Sequence, residues 1–213
     1  DGVYRDSWRR VAGIEMSWPA ALVNVYKQSD VRIFGDGVID GDGSFWWEKF
    51  WGKDRKGGLL AEDTSGTLIG RSDFAARRPC LIDIYDSSDV CLEGLTLKRS
   101  PFWTVHPCYS TSVTIRGVTI RNDIGGRGPS TDGIDIDSCS DVLVENCDIE
   151  CNDDALCLKS GRGADGYRVN RPTERVLIRD CIVHSSGGGI AFGSEAAGGF
   201  RDIEACRLKF LKG

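Results

Sequence analysis

One eight-residue pattern recurs along the chain and limits the folds open to it more than any other feature. Apolar residues stand at its first, third and eighth places, and the later copies carry Cys at the sixth. The pattern reads Val90-Cys-Leu-Glu-Gly-Leu-Thr-Leu97 and Val113-Thr-Ile-Arg-Gly-Val-Thr-Ile120. It returns as Val142-Leu-Val-Glu-Asn-Cys-Asp-Ile149 and Val176-Leu-Ile-Arg-Asp-Cys-Ile-Val183. Arg201-Asp-Ile-Glu-Ala-Cys-Arg-Leu208 is a weaker last copy, and DVRIFGDGVID (30–40) is an earlier one. Successive copies start 23, 29, 34 and 25 residues apart, so a constant core carries loops of variable length. That is the signature of a solenoid whose coils stack on their neighbours.

The segments alternate with period two, are rich in Val, Ile and Leu, and are broken by Gly, Asn, Asp and Ser, with no helical stripe. The expectation is an all-β chain, a single right-handed parallel β-helix over residues 1–213. Segments 90–97, 113–120, 142–149, 176–183 and 201–208 are expected to stack as one sheet, with coils about 4.8 Å apart. Cys147, Cys181 and Cys206 then share a coil position and form a column of buried, reduced thiols. Nine cysteines is an odd number, and the spacing of Cys147, Cys151 and Cys157 is not a paired zinc pattern.

A second strand of each coil also aligns. TDGIDIDS (131–138), DDALCLKS (153–160) and GGGIAFGS (187–194) match residue for residue, with Ile134/Ile136, Leu156/Leu158 and Ile190/Phe192 pointing inward. This register sets Asp132 beside Asp154, with Asp153 next to them and Gly188 on the following coil. One Asp at a turn is ordinary Asx-turn chemistry. Three in register raise one another's pKa and can leave one protonated while others are ionised, the equipment for splitting a glycosidic bond. One coil earlier, SPFWTVHP (100–107) places Trp103 opposite Ile134 as core and His106 on the floor of the same cleft.

With these residues in view, the chain resembles the polygalacturonase group of glycoside hydrolases, family 28. GDGVIDGDGSFWW (35–47) is similar to the family's N-terminal Gly-rich and Trp-Trp stretch, and STDGIDI (130–136) to its Asn-Thr-Asp motif with Ser130 in place of Asn. NDDALCLKSG (152–161) matches its Asp-Asp motif, and GGGIAFGSE (187–195) corresponds to Gly-His-Gly followed by Gly-Ser. The resemblance implies a pectin-lyase-like, right-handed β-helix that hydrolyses galacturonate-containing pectin with inversion and without metal or cofactor. It makes Asp153 the general acid, and Asp132 and Asp154 the pair that orients and deprotonates water. Inversion asks for acid and base about 6.5–9.5 Å apart.

The family histidine falls on Gly188, and His184 is a nearby replacement or a surface residue. The Gly-rich version is also similar to rhamnogalacturonan hydrolases. No Arg-x-Lys motif appears before Gly213, so the chain is expected to belong to a longer catalytic domain and to end in an open sheet edge. An acidic chain, with net charge −5, needs local cations to hold a uronate. Arg127, Arg162, Arg168 and Arg171 in the flanking loops, with Lys159 and His106, are the substrate-binding candidates.

The absence of a basic block argues against nucleic acid as a partner, and no apolar run reaches the ~18–20 residues of a membrane span. The expected partner is a pectic polysaccharide or oligogalacturonide. The opening DGVYRDSWRR has no signal-like apolar stretch, and a secreted or periplasmic location follows from the resemblance alone. Two alternatives stay open. One is an inactive carbohydrate-binding β-helix. The other is a polysaccharide lyase, with Ca²⁺ on the carboxylates and Lys159 as base.

Overall fold

The computed structural model describes residues 5–51, 76–124, 128–185 and 187–212. An antiparallel hairpin, β1 (Asp6–Val11) and β2 (Ile14–Pro19), precedes the solenoid. Six coils of three strands follow. The first holds β3 (Val23–Tyr26), β4 (Ser29–Phe34) and β5 (Val38–Asp40), with helix α1 (Ser44–Trp51) after it. The second holds β6 (Ile82–Tyr85), β7 (Ser88–Glu93) and β8 (Thr96–Lys98). The third holds β9 (Val105–Cys108), β10 (Thr111–Arg116) and β11 (Thr119–Arg121). The fourth holds β12 (Ile134–Asp137), β13 (Ser140–Glu145) and β14 (Asp148–Cys151). The fifth holds β15 (Leu156–Lys159), helix α2 (Gly163–Val169), β16 (Thr173–Arg179) and β17 (Ile182–Ser185). The sixth holds β18 (Ile190–Phe192), β19 (Phe200–Cys206) and β20 (Lys209–Lys212).

First strands pair with first strands, second with second and third with third, giving three parallel six-stranded sheets. The expected parallel β-helix is what forms. The eight-residue pattern, however, spans two sheets and not one. Its fifth residue adopts a left-handed backbone in the four full copies, Gly94, Gly117, Asn146 and Asp180, and Arg207 takes that place in the sixth coil. That conformation turns the chain between the second and third sheets; Gly tolerates it freely and Asn or Asp more readily than most. The residue after it drops back into the core, so Leu95, Val118, Cys147 and Cys181 make one buried column.

Cys206 is not part of that column. The register pairs Val176 with Ile203 and Arg179 with Cys206, two residues away from the alignment that the pattern suggested. A slip of two preserves which face each residue occupies, so alternation cannot detect it. Cys206 is half-buried, whereas Cys147 and Cys181 are buried, and all nine cysteines are free thiols.

Between the sheets the core is a stack of aliphatic rungs such as Ile82, Val105, Ile134 and Leu156, or Val90, Val113, Val142 and Val176. Truncating one of these fully buried side chains to Ala costs about 2–5 kcal/mol. At the sixth coil the rungs lose their cover: Ile190 is half-buried, and Phe192 and Phe210 are exposed.

The hairpin decides what happens outside the first sheet. Ala12 and Gly13 form its two-residue turn with φ of 47° and 79°, the positive angles that suit the twist of a tight hairpin. A Cβ on Gly13 would stand 2.6 Å from the Arg162 backbone nitrogen, so the turn tip also docks on the fifth coil. From β1 two arginines reach the outer face of the first sheet. Arg9 meets Asp83 at 2.7 Å and Arg10 meets Asp137 at 2.8 Å, all four buried.

Candidate active site

The strand β12 register against β15 pairs Ile134 with Leu156 and Ile136 with Leu158, and β15 against β18 pairs Leu156 with Ile190. Counting back from these pairs, Asp132, Asp154 and Gly188 occupy one level on successive coils. The backbone follows: Gly133 N–H donates to the Asp154 carbonyl, and Ala155 N–H to that of Gly188, each at 2.9 Å. Asp132, Asp153 and Asp154 each offer a carboxylate oxygen within 4.8 Å of the others. Asp132 is buried, and Asp153 and Asp154 are half-buried. Measured between nearest oxygens, the three are closer than the separation expected for an inverting pair.

Backbone groups fix these carboxylates. Asp153 Oδ1 accepts the Asp154 N–H at 3.0 Å, and Asp154 Oδ1 accepts the Gly188 N–H at 2.6 Å. A Cβ on Gly188 would lie 2.9 Å from that same Oδ1, so a larger residue here would require the Asp154 carboxylate to shift. Here, then, a main-chain donor occupies the level where a histidine was expected. His184 does not replace it. It lies in the third sheet opposite Glu150, 3.6 Å from Asp148, as the surface reading has it.

Burial raises the Asp132 carboxyl well above the usual carboxylate range; Asp135, Asp153 and Asp154 push it further, against Lys159. Asp135, three residues further on and within β12, is likewise pushed up to about 7 by burial. Burial, together with neighbouring carboxylates, thus raises Asp132 and Asp135, the second of which the sequence reading did not single out.

The cationic candidates part company. Lys159 is buried: its Nζ lies 3.1 Å from Glu195 Oε2, 3.5 Å from Asp135 Oδ1 and 4.8 Å above the Trp103 ring. Burial pulls its pKa down, but Asp135 and Asp132 outweigh that and the net direction is well upward. It is an internal counter-ion, which removes it as a surface contact and as a lyase base. His106 is also corrected. It is buried under the hairpin between Asp83 (3.0 Å) and Asp137 (3.7 Å), with no face toward a cleft.

Arg162 is part-exposed and pairs with Glu195 at 2.6 Å. Arg168 pairs with Glu15 and Asp165, and Arg171 lies over the Tyr109 ring at 5.6 Å. Both line a pocket with Tyr26, Tyr85 and Tyr109, beyond the opposite ends of the first-sheet strands, so neither belongs to the Asp132 end. Arg127 lies outside the described residues. Trp103 is buried as expected, but it stands level with Asp132, because Val105 and not Trp103 pairs with Ile134.

Asp132, Asp135 and Cys157 form a second close group, again within 4.8 Å. An ion could bridge that spacing, but Ca²⁺ takes six to eight oxygens, and the Lys159 ammonium already lies beside Asp135. The donor set does not define a metal centre. Sequence reasoning missed Asp135, Glu195 and the two hairpin arginines. Asp135 had a signal: it alternates outward between the inward Ile134 and Ile136, and so must face whatever covers the sheet.

Three stacked parallel sheets with carboxylates gathered at one strand entrance define a parallel β-helix built around an acidic site. The chain belongs to the glycosyl hydrolases family 28, whose sequence pattern matches residues 13–209. A probable polygalacturonase of Vitis vinifera is 39% identical over 180 residues, 83% of this chain and 32% of that protein. Endopolygalacturonase I of Aspergillus niger is 26% identical over 81% of this chain and 47% of its own length. A hyperthermoactive exopolygalacturonase from Thermotoga maritima superposes with a TM-score of 0.80 at 32% identity, over 95% of this chain and 49% of its own. A family 28 exopolygalacturonase of Yersinia enterocolitica shares the fold, with a TM-score of 0.71 at 20% identity, 98% of this chain and 41% of its own. The chain thus spans about a third to a half of the proteins it matches.

Proposed function

We propose that the chain forms the catalytic β-helix of a pectin-degrading glycoside hydrolase, of polygalacturonase or rhamnogalacturonan hydrolase type, within a longer catalytic domain. The observation that carries this reading is the register that stacks Asp132 on Asp154, with Asp153 beside them, in a family 28 chain. In this reading Asp153 gives its proton to the leaving oxygen. Asp132 and Asp154 hold the attacking water and take its proton. Oxygens within 4.8 Å suit one shared water, since two hydrogen bonds of about 2.8 Å bridge a gap of that order. The product then forms with inversion. Arg127 and Arg162 are the remaining candidates to meet a uronate carboxylate. A polymeric substrate places the protein outside the cytoplasm, secreted or periplasmic, and among the described residues no helix is long and apolar enough to cross a membrane.

The test is product analysis by ¹H NMR in the full-length protein, with homogalacturonan and rhamnogalacturonan as substrates. A saturated product of inverted anomeric configuration is expected from one of them. An unsaturated uronate end would make it a lyase, a retained anomer would discard the water-bridged mechanism, and binding without cleavage would leave a carbohydrate-binding module.

A further inference from the structure

Asp135 is fully buried, and neither of its carboxylate oxygens has a hydrogen-bond partner among the described residues. On the outer face of the first sheet it sits between His106 on β9 and Cys157 on β15, with Asp132 at the entrance to its own strand. Its cationic neighbour across the next coil is Lys159, which is not directly opposite. The register pairs Lys159 with Asp137 and Asp135 with Cys157. Lys159 nevertheless reaches diagonally to Asp135 at 3.5 Å, a span open to a long side chain. The reason lies in the hairpin: Arg10 already holds Asp137 at 2.8 Å, with His106 on its other oxygen at 3.7 Å. Lys159 is thereby left to Asp135 and to Glu195, and Glu195 is in turn held by part-exposed Arg162.

Two buried carboxyl groups as close as Asp132 and Asp135 cannot both ionise without a large electrostatic cost, and a proton between them gives Asp135 a hydrogen bond in addition to its ion pair with Lys159. We infer that Asp135 is a positioning residue for Asp132. Their carboxyl groups share one proton, and Lys159, anchored by Glu195 and Arg162, sets how readily the pair gives it up. The inference rests on the proposed role of Asp132 in activating water. A pair coupled in this way titrates in macroscopic steps that belong to both residues. The groups facing it are His106 from β9, Cys157 and Lys159 from β15, Asp153 and Asp154 from the turn before β15, and Glu195 after β18. The Asp135 charge holds the proton on Asp132, whereas the Lys159 charge expels it.

Those opposite signs give the experiment. In the full-length protein, the Asp132 carboxyl is titrated by ¹³C NMR, and the kcat/KM profile on polygalacturonate is recorded, for Asp135→Asn, Lys159→Met and the double variant. Asp135→Asn is expected to move the Asp132 titration and the acidic limb of kcat/KM about one pH unit down. Lys159→Met moves both about one unit up, and the double variant, which removes both charges together, returns close to the parent. If Lys159→Met fails to fold, Asp135→Asn and the double variant still carry the comparison. An Asp132 titration that is unmoved by Asp135→Asn, or moved upward, overturns the inference. Should Asp132→Asn cleave polymer at the parental rate, the functional reading falls, while the ¹³C titration still decides whether the proton is shared.

Discussion

The first sheet carries two groups of acids that differ in who neutralises them. Under the hairpin, Asp83 and Asp137 meet Arg9, Arg10 and His106. Burial pushes Asp137 up, but His106 and Arg10 outweigh it and the net direction is down. Burial likewise pulls His106 down, and Asp137 and Asp83 carry it well above its ordinary range. At the strand entrance, Asp132 lies close to Asp135 and also to Asp153 and Asp154, and Lys159 serves Asp135 and Glu195. There Asp132 and Asp135 are raised. One sheet therefore holds a matched ionic patch and an acid-rich one. The matched patch docks the hairpin. The acid-rich one keeps protons available near neutral pH, which acid–base chemistry requires and stability does not.

The comparison breaks most visibly in turnover. Asp153→Asn in the full-length protein is expected to lower polymer hydrolysis about 10²–10⁴-fold, the usual scale for losing a general acid, with the melting temperature unchanged. Parental rates would move the acid role elsewhere in the cluster.

On the matched side the effect should appear in stability. Arg10→Met leaves Asp137 buried without its guanidinium, and removing one partner of a buried pair costs about 3–5 kcal/mol. Urea unfolding at pH 7 measures it, where Asp137 is ionised. The depressed Asp137 contributes stability that is present above the unfolded value, about 3.9, and is lost as pH falls through its lower folded value. His106 contributes in the other direction. Its share is full below about 6.5 and is lost as pH rises through its raised folded value.

The acid-rich side should respond with the opposite sign. A raised carboxyl suits the fold while protonated and weighs against it once pH climbs through the folded pKa. Asp132→Asn is therefore expected to stabilise the protein by about 0.5–2 kcal/mol at pH 8. Near pH 4 the gain should vanish, because the parental carboxyl is protonated there in the fold. Destabilisation at both pH values would mean that the acid-rich patch is structural after all.

The smallest change tests burial alone. Arg168 also contacts the hairpin through a carboxylate, at 2.5 Å from Glu15, but more than half of its side chain is exposed. Arg168→Gln should alter stability by less than about 1 kcal/mol, far below Arg10→Met, although both remove an arginine–carboxylate pair.

Alternation and repeat length were enough to read the solenoid, its inward rungs and the stacking of Asp132 on Asp154. Each depends only on local spacing, and the matched Ile-x-Ile and Leu-x-Leu pairs pin that register. Where the reading of register failed, it failed by two residues. Cys206 was aligned with Cys181, and Trp103 with Ile134, because a two-residue slip leaves every side chain on its proper face. The corner at Gly94, Gly117, Asn146 and Asp180 was visible only as a variable place in the pattern, and its sixth-coil member, Arg207, was hidden by the same slip.

What the tertiary structure alone decided is which charge answers which. Nothing in the spacing of Arg10, Asp137, Lys159 and Asp135 says that a hairpin more than a hundred residues away takes Asp137 and so leaves Lys159 to Asp135. Ion pairing follows distance and burial through space. A lysine long enough to reach any of three acids is assigned only when the competing arginine is in place.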